Sequence, residues 1–261
     1  MALHDMLEKI DENKKEIDKR RPLSLEEARQ LDAYFRIGTT YTSNALEGNS
    51  LTLTETKVLL EDGITIGGKP IRDCYEAAGH AQAYDFMLEA ARSEPFIVSE
   101  DTVLWLHQLF YNKIDSEKAG TYRSERVFIT GTDYLPPLPQ EVPAQMQAFI
   151  GELNEKRENT HPIALSAFAH KTLVDIHPFV DGNGRTARLL MNLIVINSGY
   201  QIISIPPVLR TEYINALEAA RRGGGTNKDA FGMFIAECEI EAQKDYCRMF
   251  QITLPKKSDR A

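Results

Sequence analysis

Residues Ile176 to Arg188 read I-H-P-F-V-D-G-N-G-R-T-A-R. This short stretch gathers a potential base, a carboxylate, two glycines, an amide and two arginines. Pro178 cannot continue a preceding helix without cost, so His177 is expected at or just past a helix end. Gly182 and Gly184 permit backbone conformations other residues avoid and let the chain approach a ligand closely. A new helix is expected near Gly184 or Arg185, with its unpaired N–H groups facing the loop. That is an anion site, and the helix dipole adds about 0.3–1 kcal/mol to it. Arg185 and Arg188 are three residues apart and share a face of the first turn, within reach of a polyphosphate. Asp181, the one carboxylate in this positive nest, suits a divalent cation bridging phosphates. Asn183 can donate to a phosphate oxygen, and His177 can take a proton from a hydroxyl near neutral pH. Together these parts describe phosphoryl or nucleotidyl transfer with a histidine general base. The bland alternative is a helix-breaking turn followed by solvated arginines.

The rest of the chain is expected to support that loop. Its 261 residues are enough for one large domain or two small ones, and 43% are hydrophobic. A net charge of −8 argues against a phosphate-backbone binder as the main role. The three cysteines, Cys74, Cys238 and Cys247, form no C-x-x-C pair. Cys238 and Cys247 are expected on one helix, roughly 13 Å apart and too far to bridge, which fits idle thiols in a reducing compartment. The N-terminal 21 residues are charged throughout and lack the apolar core of a signal peptide. No run reaches the ~20 apolar residues of a membrane span, so the chain is expected to be cytoplasmic.

Helical periodicity dominates. Ser24-Leu25-Glu26-Glu27 and Thr52-Leu53-Thr54-Glu55 are capping boxes, and Ser99 caps a third helix running through Tyr111. Pro95 breaks the chain before it. Further helices are expected from about Arg72 to Arg92, Val142 to Glu158, Ile163 to Val174, Glu212 to Arg221 and Lys228 to Phe250. Leu189 to Ile196 is almost continuously apolar and belongs at the centre of a domain. Gly223-Gly224-Gly225 reads as a turn, and the tail after Leu254 as frayed. His107, at the edge of an apolar helix face, reads as structural or solvated. Helix signals fail between Gly120 and Pro143. There Arg126 to Thr130 is the best strand candidate, with Tyr134-Leu135 as its return. A lone hairpin is marginal in water, so it must lean on the helices.

The string from His177 to Arg188 resembles the Fic (filamentation induced by cAMP) motif H-P-F-x-D/E-G-N-G-R-x-x-R at every specified position. The resemblance implies an all-α Fic fold, a helical bundle with a small β-hairpin flap beside the active loop. It spans a Fic core over residues 70–254, after an N-terminal helical region 1–69 and before a tail 255–261. It implies an enzyme, a protein adenylyltransferase that moves AMP from ATP to a Ser, Thr or Tyr hydroxyl of a target protein, the chain itself included. His177 would be the base, with Asn183 assisting. Asp181 would hold Mg2+ on the ATP phosphates. Gly182, Asn183, Gly184, Arg185, Thr186, Ala187 and Arg188 would bind the nucleotide, and Tyr213 would contribute to the adenine pocket. Val127, Phe128, Ile129 and Thr130 would dock the target by strand pairing. Nucleic acid and membrane are not expected as partners, while a homodimer is compatible with the resemblance. Alternatives are transfer of UMP, phosphate or phosphocholine, or a non-catalytic nucleotide-binding module.

Upstream, Ser43-Asn44-Ala45-Leu46-Glu47-Gly48-Asn49 taken alone reads as a helix end with a glycine stop. It also fits the inhibitory motif S/T-x-x-x-E-G/N of Fic proteins, in the class II arrangement where the inhibitor (here about residues 39–49) precedes the core. Ser43 and Glu47 share a helix face, and Glu47 is expected to pair in bidentate fashion with Arg188 and misplace the nucleotide's phosphates. De-AMPylation by the same glutamate is an open option.

Overall fold

A computed structural model describes residues 2–94, 96–129, 132–222 and 229–255. Ten α-helices carry these residues: α1 (Leu3–Asp18), α2 (Leu25–Ala45), α3 (Leu53–Asp62), α4 (Ile71–Ala91), α5 (Glu100–Tyr111), α6 (Val142–Lys156), α7 (Pro162–Ile176), α8 (Asn183–Asn197), α9 (Arg210–Arg221) and α10 (Ala230–Met249). The fold is all-α. The expected breaks at Pro95 and Gly223–Gly225, and the tail from residue 256, lie outside the described residues.

Local chemistry sets the boundaries. The three side-chain caps form as expected: Ser24, Thr52 and Ser99 each accept the N–H of the third helical residue, at 3.1–3.2 Å. At the centre is α8, which packs against α7, α4 and α5. Every residue from Arg185 to Val195 is buried, as an almost uniformly apolar helix requires. Asn192, the polar interruption, exchanges hydrogen bonds with both the N–H and the carbonyl of Ile203 (2.7 and 2.9 Å) and so pins the next segment to the core. Gly199, at φ +79°, ends the helix, and the Tyr200 N–H returns to the Val195 carbonyl at 3.1 Å.

Two elements go beyond or against the sequence reading, the first of them expected only as part of the helical region 1–69. The charged N-terminus folds into α1, whose Met6, Ile10, Asn13 and Ile17 are buried, and α1 packs on α10. Asn13 donates to Gln243 at 2.9 Å inside that seam. The signal was a sparse helical stripe, hidden by charges on the exposed faces. The expected β-hairpin is the second departure. No strand pair forms among the described residues of 120–138. The segment is extended and hangs on side-chain donors instead: Arg123 bonds the carbonyls of Glu125 and Pro137, and Tyr134 bonds that of Asp175. Two short strands without a sheet to join have too little burial to hold a ladder.

The three cysteines are buried and unbridged. Among the described residues no helix is long and apolar enough to cross a membrane.

The α4–α5 crossing is close because Gly79 has no side chain. A Cβ there would overlap the carbonyl oxygen of Phe110, which is backbone and cannot swing aside. Gly79→Ala is expected to lower stability by roughly 1–3 kcal/mol, read as a drop in the urea midpoint. An unchanged midpoint would show that the two helices can separate freely.

Candidate active site

The site forms where α7 ends and α8 begins. His177 caps α7 in the left-handed region (φ 51°, ψ 57°), and its N–H bonds the Leu173 carbonyl at 2.9 Å. Its Nδ1 lies 3.2 Å from the Val174 carbonyl, which can only accept. The imidazole proton therefore sits on Nδ1, leaving the Nε2 lone pair available. Burial, together with the charges of Arg123 and Arg221, holds this imidazole below the ordinary histidine pKa, against the Val174 carbonyl and Glu47. His177 is thus neutral and basic at pH 7.

The loop behind it is braced from inside. Asn183 accepts from the Phe179 N–H and donates to the Phe179 carbonyl, both at 2.9 Å, and is buried. This corrects the expectation that its amide points at a phosphate: here it holds the loop's shape. Thr186 and Ala187, expected at the nucleotide, are fully buried on the core side of α8, with the Thr186 N–H bonded to the Gly182 carbonyl. Gly182 has φ +79°, and a Cβ there would press on the Phe110 ring. The Asn183, Gly184 and Arg185 N–H groups precede the first i→i−4 bond of the helix.

His107 is the residue the sequence undervalued. It is fully buried and stacks on Phe179 with ring centroids 3.7 Å apart and planes parallel within 1°. Gly120 donates its N–H to Nδ1 at 2.9 Å, so the ring proton is on Nε2, which lies 3.1 Å from the Asp181 carbonyl. His107 ties the loop to α5. One position off an apolar stripe carries no such information, because the partners come from residues 120, 179 and 181.

The arginines differ in how fully they are partnered. Arg185 is buried over the Phe110 ring, 4.3 Å from guanidinium carbon to centroid. Its Nη2 reaches Asp181 Oδ1 at 3.2 Å, and Nη1 lies 3.0 Å from Glu76 Oε1. The Nη1–Glu76 contact is an ion pair without hydrogen-bond geometry, and Nε has no acceptor. A buried donor without an acceptor beside a helix N-terminus suits an anion. Arg188, equally buried, is saturated. Nε donates to Ser43 Oγ (2.9 Å), Nη2 to the Ser43 carbonyl (2.8 Å) and to Glu47 Oε1 (2.7 Å), and Nη1 to the Tyr213 hydroxyl (3.4 Å).

Glu47 therefore meets Arg188 through one contact rather than the expected bidentate pair, because Ser43 occupies the rest of the fork. Helix α2 ends at Ala45, so Glu47 lies just past it, and Gly48 (φ +91°) completes the stop. The Glu47 side chain is 35% accessible, while its Oε1 meets the buried Arg188. Burial works against its ionisation, but the charges of Arg188 and Arg185 and the Arg188 hydrogen bond prevail over that and over Asp181. The carboxyl stays below the usual range. Gly184 is bare for a reason: a Cβ there would overlap Glu47 Oε1.

Tyr213 and Arg221 line the same cavity as His177, Glu47 and Gly184, about 130 Å³ in volume. That lies below the roughly 300–1,000 Å³ of ordinary ligand sites. The Tyr213 hydroxyl is engaged by Arg188 and by His170 at 3.2 Å, so it braces the arginine. Arg221 is taken up by Asp175 (2.7 Å) and Glu218 (2.5 Å). Ile129 reaches this cavity, Val127 is half-buried and Phe128 is 71% exposed, while Thr130 lies outside the described residues. Asp181, 39% accessible, is held by the half-exposed Arg72 at 2.6 Å.

The Fic/DOC family model matches residues 97–195, which include the whole loop. The solved structure of C. elegans Fic-1 (residues 134–508 of that protein) superimposes with a TM-score of 0.85 at 30% identity, over 95% of this chain and 73% of that one. The chain belongs to the Fic/DOC family. A Fic domain containing signaling protein from Bacteroides thetaiotaomicron aligns over 96% of this chain and 100% of its own, with a TM-score of 0.86 and 25% identity. A Nematostella vectensis protein named protein adenylyltransferase Fic is 36% identical over 236 residues, 90% of this chain and 54% of its own length. This Fic chain spans about half the length of the curated relatives it matches.

Two buried histidines should register in the pH dependence of folding. Burial pushes His107 down to about 4, against the Asp181 carbonyl and charge. Burial, then the charges of Arg188 and Arg185, pushes His80 down to about 3. Below about pH 6.5 the unfolded chain binds protons that the fold excludes. Stability should therefore fall by about 1.4 kcal/mol per pH unit for each histidine, down to pH 4 and pH 3 respectively. Urea midpoints for His107→Gln should decline less steeply than wild type between pH 6.5 and 4.5. Parallel curves would mean His107 is charged in the fold.

Proposed function

We propose that this chain transfers AMP from ATP to a hydroxyl side chain of a protein target, and that Glu47 holds it back. The observation that carries this is a coincidence within one site. A histidine with its lone pair fixed on Nε2 opens onto the same cavity as a helix N-terminus, whose first turn carries a buried arginine with no acceptor for Nε. The relatives named protein adenylyltransferase Fic support the same reading. We treat residues 70–254 as the catalytic core and 1–69 as the regulatory region. The unbridged thiols are compatible with a reducing, cytoplasmic compartment.

The target hydroxyl attacks the α-phosphorus. A new oxygen–phosphorus bond forms, the α–β bridging bond breaks, and pyrophosphate leaves. The hydroxyl proton passes to His177 Nε2. The α8 N–H groups and Arg185 hold phosphate oxygens, a preorganised electrostatic term that operates without reorganisation at the moment of reaction. Ile129 and its neighbours present the target segment.

Mg2+ fits Asp181. No group of three metal-ligating side chains exists among the described residues, so the cation would be held by one carboxylate and the nucleotide's own oxygens. Its Arg72 partner is half-exposed and also bonded to Glu76 at 3.1 Å. When bound, the ion neutralises phosphate charge.

A second reading, a nucleotide-binding module held permanently off, draws on the small cavity and the saturated Arg188. Both readings are tested with α-labelled ATP. Glu47→Gly frees Arg188 and should raise label incorporation on the order of tenfold to a hundredfold, the scale of correcting a misplaced phosphate. No label above wild type would leave the module reading. In the Glu47→Gly background, His177→Ala should abolish transfer while ATP affinity stays within about threefold. Full activity would end the general-base assignment. Mass spectrometry of the product decides among AMP, UMP, phosphate and phosphocholine.

A further inference from the structure

Arg123 was not singled out by its sequence context, yet it is 3% exposed and touches the site from outside the motif. Its main-chain N–H donates to the Pro178 carbonyl at 2.9 Å, and Nε donates to the His177 carbonyl at 2.8 Å. Nη1 donates to the Glu125 carbonyl at 3.0 Å, and Nη2 to the Pro137 carbonyl at 2.6 Å. Two acceptors lie on the chain reversal that carries the base. The other two lie on the limbs that flank Val127–Ile129. All four are main-chain carbonyls, and among the described residues Arg123 forms no ion pair. A planar guanidinium can satisfy such divergent acceptors at once, and an ammonium cannot. The joint matters because His177 is a non-glycine residue with positive φ, a conformation that persists only when its surroundings over-determine it.

We propose that Arg123 is a positioning residue that fixes the His177 backbone and the Glu125–Pro137 segment to each other, so that the base and the target-docking segment form one unit. This rests on the reading of His177 as the base. The groups facing that imidazole are Arg123 from the α5–α6 segment, Arg221 from α9 with its partner Asp175 on α7, and Glu47 beyond α2. Arg123 and Arg221 oppose its protonation, and Glu47 favours it. Losing the Arg123 charge therefore raises the His177 midpoint, whereas a lysine keeps the charge and loses only the fork.

The test uses the full chain in the Glu47→Gly background with Arg123→Gln and Arg123→Lys. Three measurements are made: ATP affinity by calorimetry, self-labelling from α-labelled ATP, and the His177 titration by NMR. Both variants are expected to lose at least tenfold in labelling with ATP affinity within twofold. The Gln variant moves the His177 midpoint and the acid limb upward, and the Lys variant leaves both in place. Should the Gln variant fail to fold, the Lys variant decides alone. Labelling by Arg123→Lys at the parent level overturns the proposal, as does an unmoved His177 midpoint in Arg123→Gln. Loss of labelling and of ATP affinity together would reduce Arg123 to general scaffolding. If the parent itself transfers no label, the adenylyltransferase reading fails. The NMR titration still decides this inference, since it needs no turnover.

Discussion

Burying the guanidinium of Arg188 is the constraint on which the rest of the site depends. A buried positive charge is costly unless it is paired and hydrogen-bonded, and removing one partner of such a pair leaves the other stranded. In this chain the partners are supplied almost entirely by the end of α2: the Ser43 hydroxyl and carbonyl and the Glu47 carboxylate, with Tyr213 meeting the remaining nitrogen. The need to satisfy one arginine therefore fixes a helix from the start of the chain against the start of α8. Other contacts hold α2 in that place. Arg210 donates to the Leu46 carbonyl at 2.8 Å, and the Thr39 and Ser204 hydroxyls meet at 2.8 Å. Gly184 leaves the gap that lets the carboxylate in.

The two arginines of the loop are in opposite states. Arg185 Nε has no acceptor, whereas every guanidinium nitrogen of Arg188 has a partner, although both belong to the first turns of one helix. The contrast is what the proposed regulation by Glu47 draws on. The base, the loop and the helix N-terminus are already formed, held by His107, Asn183 and Arg123 with buried, well-oriented hydrogen bonds. In the proposed reading, Glu47 on Arg188 is what keeps a polyphosphate from that arrangement.

Preorganisation also explains the unusual number of neutral buried histidines near the loop. His107, His80 and His170 are all depressed by burial and by nearby arginines. Neutral imidazoles can serve as hydrogen-bond braces in a site already rich in positive charge, where further cations would repel.

Much of the fold was legible in sequence. Capping boxes at Ser24 and Thr52, the Ser99 cap and the apolar run of α8 are local signals, encoded within a few residues of where they act. The family likewise follows from the loop, since its chemistry is packed into consecutive residues. The misses share the opposite property. Helix α1 was masked by its exposed charges until α10 supplied a partner for its thin apolar stripe. The hairpin failed because isolated strands need a sheet. Asn183, Thr186 and Ala187 belong to the motif yet face inward, and residue identity does not encode which way a side chain points. The sequence by itself determined most of the helices, the family's motif loop and the candidate inhibitor. Only the tertiary structure decided that Ser43 shares the Arg188 fork with Glu47, and that His107 and Arg123 hold the loop. Those contacts join residues dozens to more than a hundred positions apart, and distance along the chain carries no record of them.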